Sequence, residues 1–363
     1  MQYQYWLSNI EGIGSITIGK LFQYIESAEE LYFLPENQFE SMEEIGKMER
    51  EKIIASRKSW DLTGAWEKFR EKGISFVSWE MDTFPDKLRC IHNPPYGIYF
   101  KGRLPDERRK VVAIVGARRC SEYGRSMAEK LGEELAKYQI PVISGMAKGV
   151  DSYAHIGTLR GKGETYAVLG CGVDVCYPAA HEQLYHEILD AGGILSEYLP
   201  GTEPKPQLFP PRNRIISALS DVTVLVEAKE RSGSLITADF ALEQGKDIYA
   251  FPGRTTDELS FGCNALIRQG AGIVTSIDSF LADIGILGHN ECQQESLFDN
   301  FPNLLLEKEE SMVYSCLDLR PRSLEEISFR TGYQTQYLTM LIQGMLQKGI
   351  LKETFRNYYV RNV

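Results

Sequence analysis

The chain has 363 residues, 43% hydrophobic and 25% charged, with a formal net charge of −10 at pH 7. That is the composition of an ordinary globular protein long enough for two or three domains, and its acidic balance argues against a generally basic nucleic-acid binder. No apolar run is long enough to span a bilayer and Met1–Trp6 has no leader pattern, so neither a membrane anchor nor a secretory signal is expected, and seven cysteines without paired CxxC spacing read as buried cytosolic thiols.

Residues 1–70 read as small helices with short connectors. Leu7, Ile10, Ile18, Leu21, Phe22 and Ile25 recur with helical spacing, and Glu11-Gly12-Ile13-Gly14 marks a tight turn between two helices. This helix-hairpin-helix (SAM-like) pattern serves either as a packing module or as a holder of DNA phosphate on backbone amides. Residues 71–110, with prolines at 85, 94, 95 and 105, read as an extended connector. Residues 111–284 alternate strand and helix. The predicted strands are Val111–Val115, Pro141–Ser144, Thr165–Leu169, Gly193–Glu197, Val222–Glu227 and Asp247–Phe251. The predicted helices are Tyr123–Tyr138, Val150–Leu159, Ala180–Ala191, Pro211–Leu219, Leu235–Gln244 and Asn264–Gln269. Strands that are apolar throughout, separated by helices, predict an α/β domain with a mainly parallel, doubly wound, Rossmann-like sheet. Residues 285–308 are a polar linker. Residues 309–363 predict two short helices, a longer one over Thr335–Lys348 and a hairpin around Phe355-Arg356-Asn357, which is the order of a winged helix.

The loops after the predicted strands carry the chemistry, because such sheets bind ligands there. Gly116-Ala117-Arg118-Arg119 lacks the GxGxxG fingerprint. Arg118 is either a surface arginine beside a turn or a bidentate phosphate ligand. In Ser144-Gly145-Met146-Ala147-Lys148-Gly149-Val150-Asp151, Gly145 and Gly149 let the backbone turn and expose amides, with Lys148 between them. The loop lacks the GK[ST] ending of a nucleotide-hydrolysing P-loop. Asp151 and His155 read as capping or hydrogen-bonding groups.

Phe209-Pro210-Pro211-Arg212-Asn213-Arg214 places Pro211 at a suitable first helical position. Free N–H groups there, with Arg212, Asn213, Arg214 and the ring of Phe209, make either an ion-paired turn or a seat for a phosphate chain with a base alongside. In Arg231-Ser232-Gly233-Ser234, Ser232 or Ser234 is a good N-cap, and the small residues leave room for a ligand. No catalytic triad order, carboxylate pair or metal cluster accompanies these loops, so no enzyme active site, metal site or cofactor is expected. Leu259, Phe261, Leu266, Ile267, Ile273 and Val274 form an apolar set that reads as core or as a contact surface.

These segments together resemble the DNA-processing protein A (DprA/Smf) family. The matching text is Val112–Arg118, Ser144–Asp151, Leu195–Tyr198, Phe209–Ile216 and Arg231–Ala238, with Asp151–His155 and Phe251-Pro252-Gly253. Ala117 departs from the serine or threonine common in the family. The resemblance implies a cytoplasmic single-stranded-DNA-binding protein of natural transformation that protects incoming DNA and promotes loading of the recombinase RecA. It implies no catalytic activity. It also implies a homodimer formed through the Rossmann-like domain, which points to Leu266, Ile267 and Ile273. DNA contacts are expected at Gly116, Arg118, Gly145, Lys148, Gly149, Phe209, Arg212, Asn213, Arg214, Ser232, Gly233 and Ser234. The alternative is a small-nucleotide-binding or nucleotide-hydrolysing Rossmann-like protein. That class carries a PGGxGT loop and a catalytic glutamate, which Glu227–Ser234 does not reproduce. A winged-helix regulator of duplex DNA would need a basic recognition helix, and Thr335–Lys348 has one lysine and no arginine.

Overall fold

The apolar runs become strands in the computed structural model, which describes residues 1–287, 308–318 and 320–362. Five helices come first: α1 (Gln2–Ser8), α2 (Ser15–Leu21), α3 (Ala28–Phe33), α4 (Lys47–Ser59) and α5 (Leu62–Arg70). They close over Trp6, Leu7, Ile18, Leu21, Leu31 and Phe39. The expected hairpin joins α1 to α2, with Gly12 at φ +77°, a conformation that side chains resist. Next come β1 (Ser75–Ser78), α6 (Asp86–Arg89) and β2 (Gly97–Gly102), followed by β3 (Val112–Gly116), α7 (Glu122–Lys137), β4 (Val142–Ser144), α8 (Val150–Arg160) and β5 (Thr165–Val168). The fold continues through α9 (Glu182–Ala191), β6 (Gly193–Ser196), α10 (Phe209–Leu219), β7 (Val222–Val226), α11 (Gly233–Glu243), β8 (Asp247–Ala250), α12 (Phe261–Arg268) and β9 (Gly272–Ile273).

The nine strands form one sheet in the order β1-β2-β6-β5-β4-β3-β7-β8-β9. From β6 to β9 every pairing is parallel. β2 joins β6 antiparallel, and β1 joins β2 the same way. All five residues of β7 are buried, as is expected of a strand covered on both faces. The chain enters the parallel part at β3 and steps outward through β4, β5 and β6. It then returns to lay β7 on the other side of β3 and proceeds through β8 and β9. The reversal puts the topological switch point at the carboxyl ends of β3 and its neighbours, where open α/β sheets take ligands.

The segment 71–110 is not the extended connector expected from its prolines, since it supplies two strands of the sheet. Its prolines fall between elements: Pro85 caps α6, while Pro94 and Pro95 precede β2. The N-terminal helices pack in the same unit as the sheet. Met1–Arg119 and Ala128–Thr275 form one compact unit. Within it Ser15 Oγ, at the first residue of α2, donates to Glu197 Oε1 at 2.8 Å, just past β6.

A second unit comprises Cys120–Met127 and the residues from Ser276 onward. It contains α13 (Ile277–Asp283), α14 (Lys308–Cys316), β10 (Arg322–Ser323), α15 (Leu324–Thr331), α16 (Thr335–Gln347), β11 (Leu351–Phe355) and β12 (Tyr358–Arg361). The helices and hairpin expected over 309–363 are present, and β10 adds a third strand in the order β10-β12-β11. Val313, Ile327, Leu338, Ile342, Met345 and Tyr359 fill their core. Ser323 and Glu326 cap α15 reciprocally, and Gly332 ends it at φ +72°. Of the expected linker 285–308, residues 288–307 lie outside the described residues.

Candidate functional site

The loops at the switch point enclose a cleft of about 540 Å³. Its wall runs from Gly116, Ala117, Arg118 and Arg119 after β3, through Tyr177 after β5 and Phe209, Arg212 and Asn213 on α10, to Arg231–Ser234 at the start of α11. Close backbone packing holds these loops in place. A Cβ at Gly116 would strike the Val226 carbonyl and the Val150 side chain. Gly149, at φ +84°, lies against the backbone of Ala117 and Arg118. Met146 and Glu227 adopt φ of 53° and 60°, a conformation uncommon for non-glycine residues, at the carboxyl ends of β4 and β7.

The cations of the cleft divide into two kinds. Arg118, Arg119 and Arg231 are exposed. Arg212 is 4% exposed, and its Nη1 donates to the Val168 carbonyl at 2.5 Å. Its Nε, itself buried, has no partner among the described residues. Gly145 packs so closely that a Cβ there would run into this guanidinium. Asp151, which also lines the cleft, accepts from the Gly145 N–H at 3.2 Å. Burial pushes the Asp151 carboxyl above its ordinary value, and Arg212 opposes that shift. The two charges thus support each other in a dry setting, while Arg118 and Arg231 meet solvent. Below them His155 hydrogen-bonds Thr165 Oγ1 through Nδ1 at 2.6 Å, and burial lowers its pKa to about 3.

Two rings and a helix end complete the wall. The Arg118 guanidinium carbon lies 5.4 Å above the Phe209 ring. Tyr177 stacks on Phe209 with centroids 5.4 Å apart and planes at 28°. Ser232 caps α11 by accepting from the Ser234 N–H, and Asn213 Nδ2 donates to the Gly233 carbonyl at 3.2 Å, which pins this loop to α10. Exposed guanidiniums beside a helix N-terminus attract anions, and the rings offer a π surface next to them. The hydroxyls of Ser232 and Ser234, the obvious nucleophile candidates here, hydrogen-bond each other at 2.8 Å. Among the described residues no group of three or more His, Cys, Asp or Glu could hold a metal ion.

The structure therefore gathers Gly116, Arg118, Phe209, Arg212, Asn213, Ser232, Gly233 and Ser234 of the expected set. Gly145 and Gly149 support the wall from behind, and Lys148 is exposed on the same loop without lining the cleft. Arg214 does not line the cleft: it is buried, and its Nη2 donates to both oxygens of Glu197 at 2.7 and 2.8 Å. Of the expected dimer set, Leu266 belongs to the core and Ile267 packs against it, whereas Ile273 on β9 is 43% exposed. Tyr177 escaped sequence reading because it lies 32 residues before Phe209 and has no phosphate-binding residue type beside it.

The model of the DNA recombination-mediator protein A family matches residues 75–285. Protein Smf of Synechocystis sp. is 35% identical over 290 residues, which cover 78% of this chain and 73% of that protein. DNA processing protein DprA of Streptococcus pneumoniae is 43% identical over 202 residues, covering 56% and 71%. The X-ray structure of DNA processing protein A from Streptococcus pneumoniae aligns with a TM-score of 0.70 at 34% identity, over 78% of this chain and 98% of that one. DNA processing protein A from Helicobacter pylori, whose structure concerns its single-stranded DNA binding mode, aligns at 0.53 with 31% identity, over 58% and 95%.

Proposed function

The chain belongs to the DNA recombination-mediator protein A family, and we propose that it binds single-stranded DNA in the switch-point cleft, without catalysing a reaction on it. The carrying observation is the shared wall of Arg118, Arg212, Phe209 and the α11 N-terminus, which offers cations and amides to phosphates and rings to bases. Such a surface suits a flexible strand with splayed bases better than a duplex, whose bases are stacked inside. The Helicobacter pylori relative, named for its single-stranded DNA binding mode, supports the same reading.

In the cell the bound strand is incoming DNA of natural transformation, shielded in the cytoplasm and handed to RecA. Among the described residues no helix is long and apolar enough to cross a membrane. The protein works as a homodimer whose contact includes Ile273 and Phe261, both exposed, with residues 309–363 acting as a winged-helix module for protein contact. Two cleft copies on one strand raise affinity through effective concentration. The test uses a single-stranded oligonucleotide coated with single-strand-binding protein. The full chain should protect it from nuclease and speed RecA filament formation, and the Arg118→Ala variant should do neither. Unchanged nuclease digestion and unchanged RecA kinetics would remove this reading.

A further inference from the structure

Among the described residues that line the cleft, Asp151 is the one acid, and it stands with Arg118, Arg119, Arg212 and Arg231. It lies in the first turn of α8. Its Oδ2 accepts from the Gly145 N–H at 3.2 Å, and Gly145 is so close to the Arg212 guanidinium that a Cβ there would run into it. Gly145 thus has the acid and the arginine against it, and both side chains are buried. The charges of Arg212 and Arg118 both favour the ionised carboxylate. His155, one turn further along α8, is kept neutral by burial and adds no positive charge.

An ionised carboxylate only accepts hydrogen bonds, so it offers a phosphate oxygen no donor and repels its charge. The exposed arginines draw any anion toward the cleft, but solvent and salt screen them; the buried acid is screened much less. A phosphodiester inside a strand carries one negative charge, whereas a phosphomonoester carries about 1.5 to 2 at pH 7. We propose that Asp151 makes the phosphate seat of the cleft selective for the singly charged phosphodiester of a strand interior over the phosphomonoester of a free nucleotide. The discrimination comes from an unfavourable contact with the wrong ligand. This rests on the single-stranded-DNA reading above and deepens it by naming the charge state of the phosphate that is taken. It also turns away the ligands that the small-nucleotide alternative requires.

The experiment displaces a labelled thymidine oligonucleotide from the full chain with thymidine 5′-phosphate or with its methyl ester, at a pH well above the second phosphate pKa of about 6. The competitors differ by one methyl group and by close to one charge. The unaltered chain should bind the methyl ester at least as tightly as the monophosphate, although the cations alone would favour the latter. Asp151→Asn keeps an oxygen for the Gly145 N–H and removes the charge. It should move the ratio of the two affinities toward the monophosphate by about fivefold or more, fivefold being the worth of one contact between unit charges in bulk water. Arg118→Ala should weaken both competitors. Each ratio is taken within one protein, so a loss of folded material does not enter it, and the unaltered chain alone decides if the variant does not fold. The proposal fails if the unaltered chain prefers the monophosphate, if Asp151→Asn leaves the ratio where it was, or if the methyl ester displaces the strand from neither protein. Failure of the unaltered chain to bind the labelled strand would instead overturn the reading beneath it, and the proposal with it.

Discussion

Replacing Arg214 by alanine should destabilise the fold and leave single-strand binding nearly intact, although Arg214 and Arg212 belong to one sequence motif. The Arg214 guanidinium holds both oxygens of Glu197, with side chains only 11% and 17% exposed. Removing one partner of a buried pair leaves the other charged and poorly solvated, which costs about 3–5 kcal/mol. Glu197 would keep the Ser15 hydroxyl at 2.8 Å and some solvent, so the lower end, about 3 kcal/mol, is expected. The assay is urea unfolding followed by tryptophan fluorescence. All four tryptophans, Trp6, Trp60, Trp66 and Trp79, lie in the unit that contains Arg214, so the signal reports on that unit alone. Glu197→Gln should destabilise in the same direction. An Arg214→Ala protein as stable as the unaltered chain, but as poor a DNA binder as Arg118→Ala, would refute this assignment of Arg214.

Arg118→Ala should leave stability unchanged and weaken single-strand binding by roughly tenfold or less, because the guanidinium is exposed; the log–log salt slope should shrink by about 0.7. Gly145→Ala should lower both affinity and stability, since the added methyl must displace the buried Arg212 guanidinium, and titration with unfolding curves would show it. The stability of the sheet unit should fall in acid. His155 keeps a pKa of about 3 against an ordinary 6.5, chiefly through burial, so its contribution is complete above pH 6.5 and is lost as pH falls toward 3. The expected slope approaches about 1.4 kcal/mol per pH unit inside that window. Asp151, whose pKa burial raises, works in the opposite sense and contributes stability that is lost as pH rises through its folded value. His155→Gln should flatten the acid limb, and an equally steep limb in that variant would assign the loss to other groups.

The parallel strands were legible because residues buried on both faces must be apolar throughout, as Val222–Val226 is. β1 and β2 were not, since prolines that mark a linker mark turns between short strands equally well. The cleft was legible where one loop carries its own chemistry, as at Arg118 and at Ser232–Ser234. It was illegible where direction decides the role. Arg212 and Arg214 are two apart on a helix and so project about 200° apart, one toward the cleft and one toward Glu197. Sequence spacing cannot say which of them faces the ligand. Leu266 illustrates the same limit, because an apolar residue near a sheet end fits a core and an interface alike until packing places it in the core. Tyr177 depends on a long-range approach of two loops, which no local pattern encodes.

The most direct measurement of the central claim is the affinity of the full chain for single-stranded and duplex oligonucleotides of one sequence across a salt series. The account predicts preference for the single strand and a linear fall of log affinity with log salt, at about −0.7 per phosphate neutralised. Equal affinity for the duplex, or affinity indifferent to salt, would contradict it.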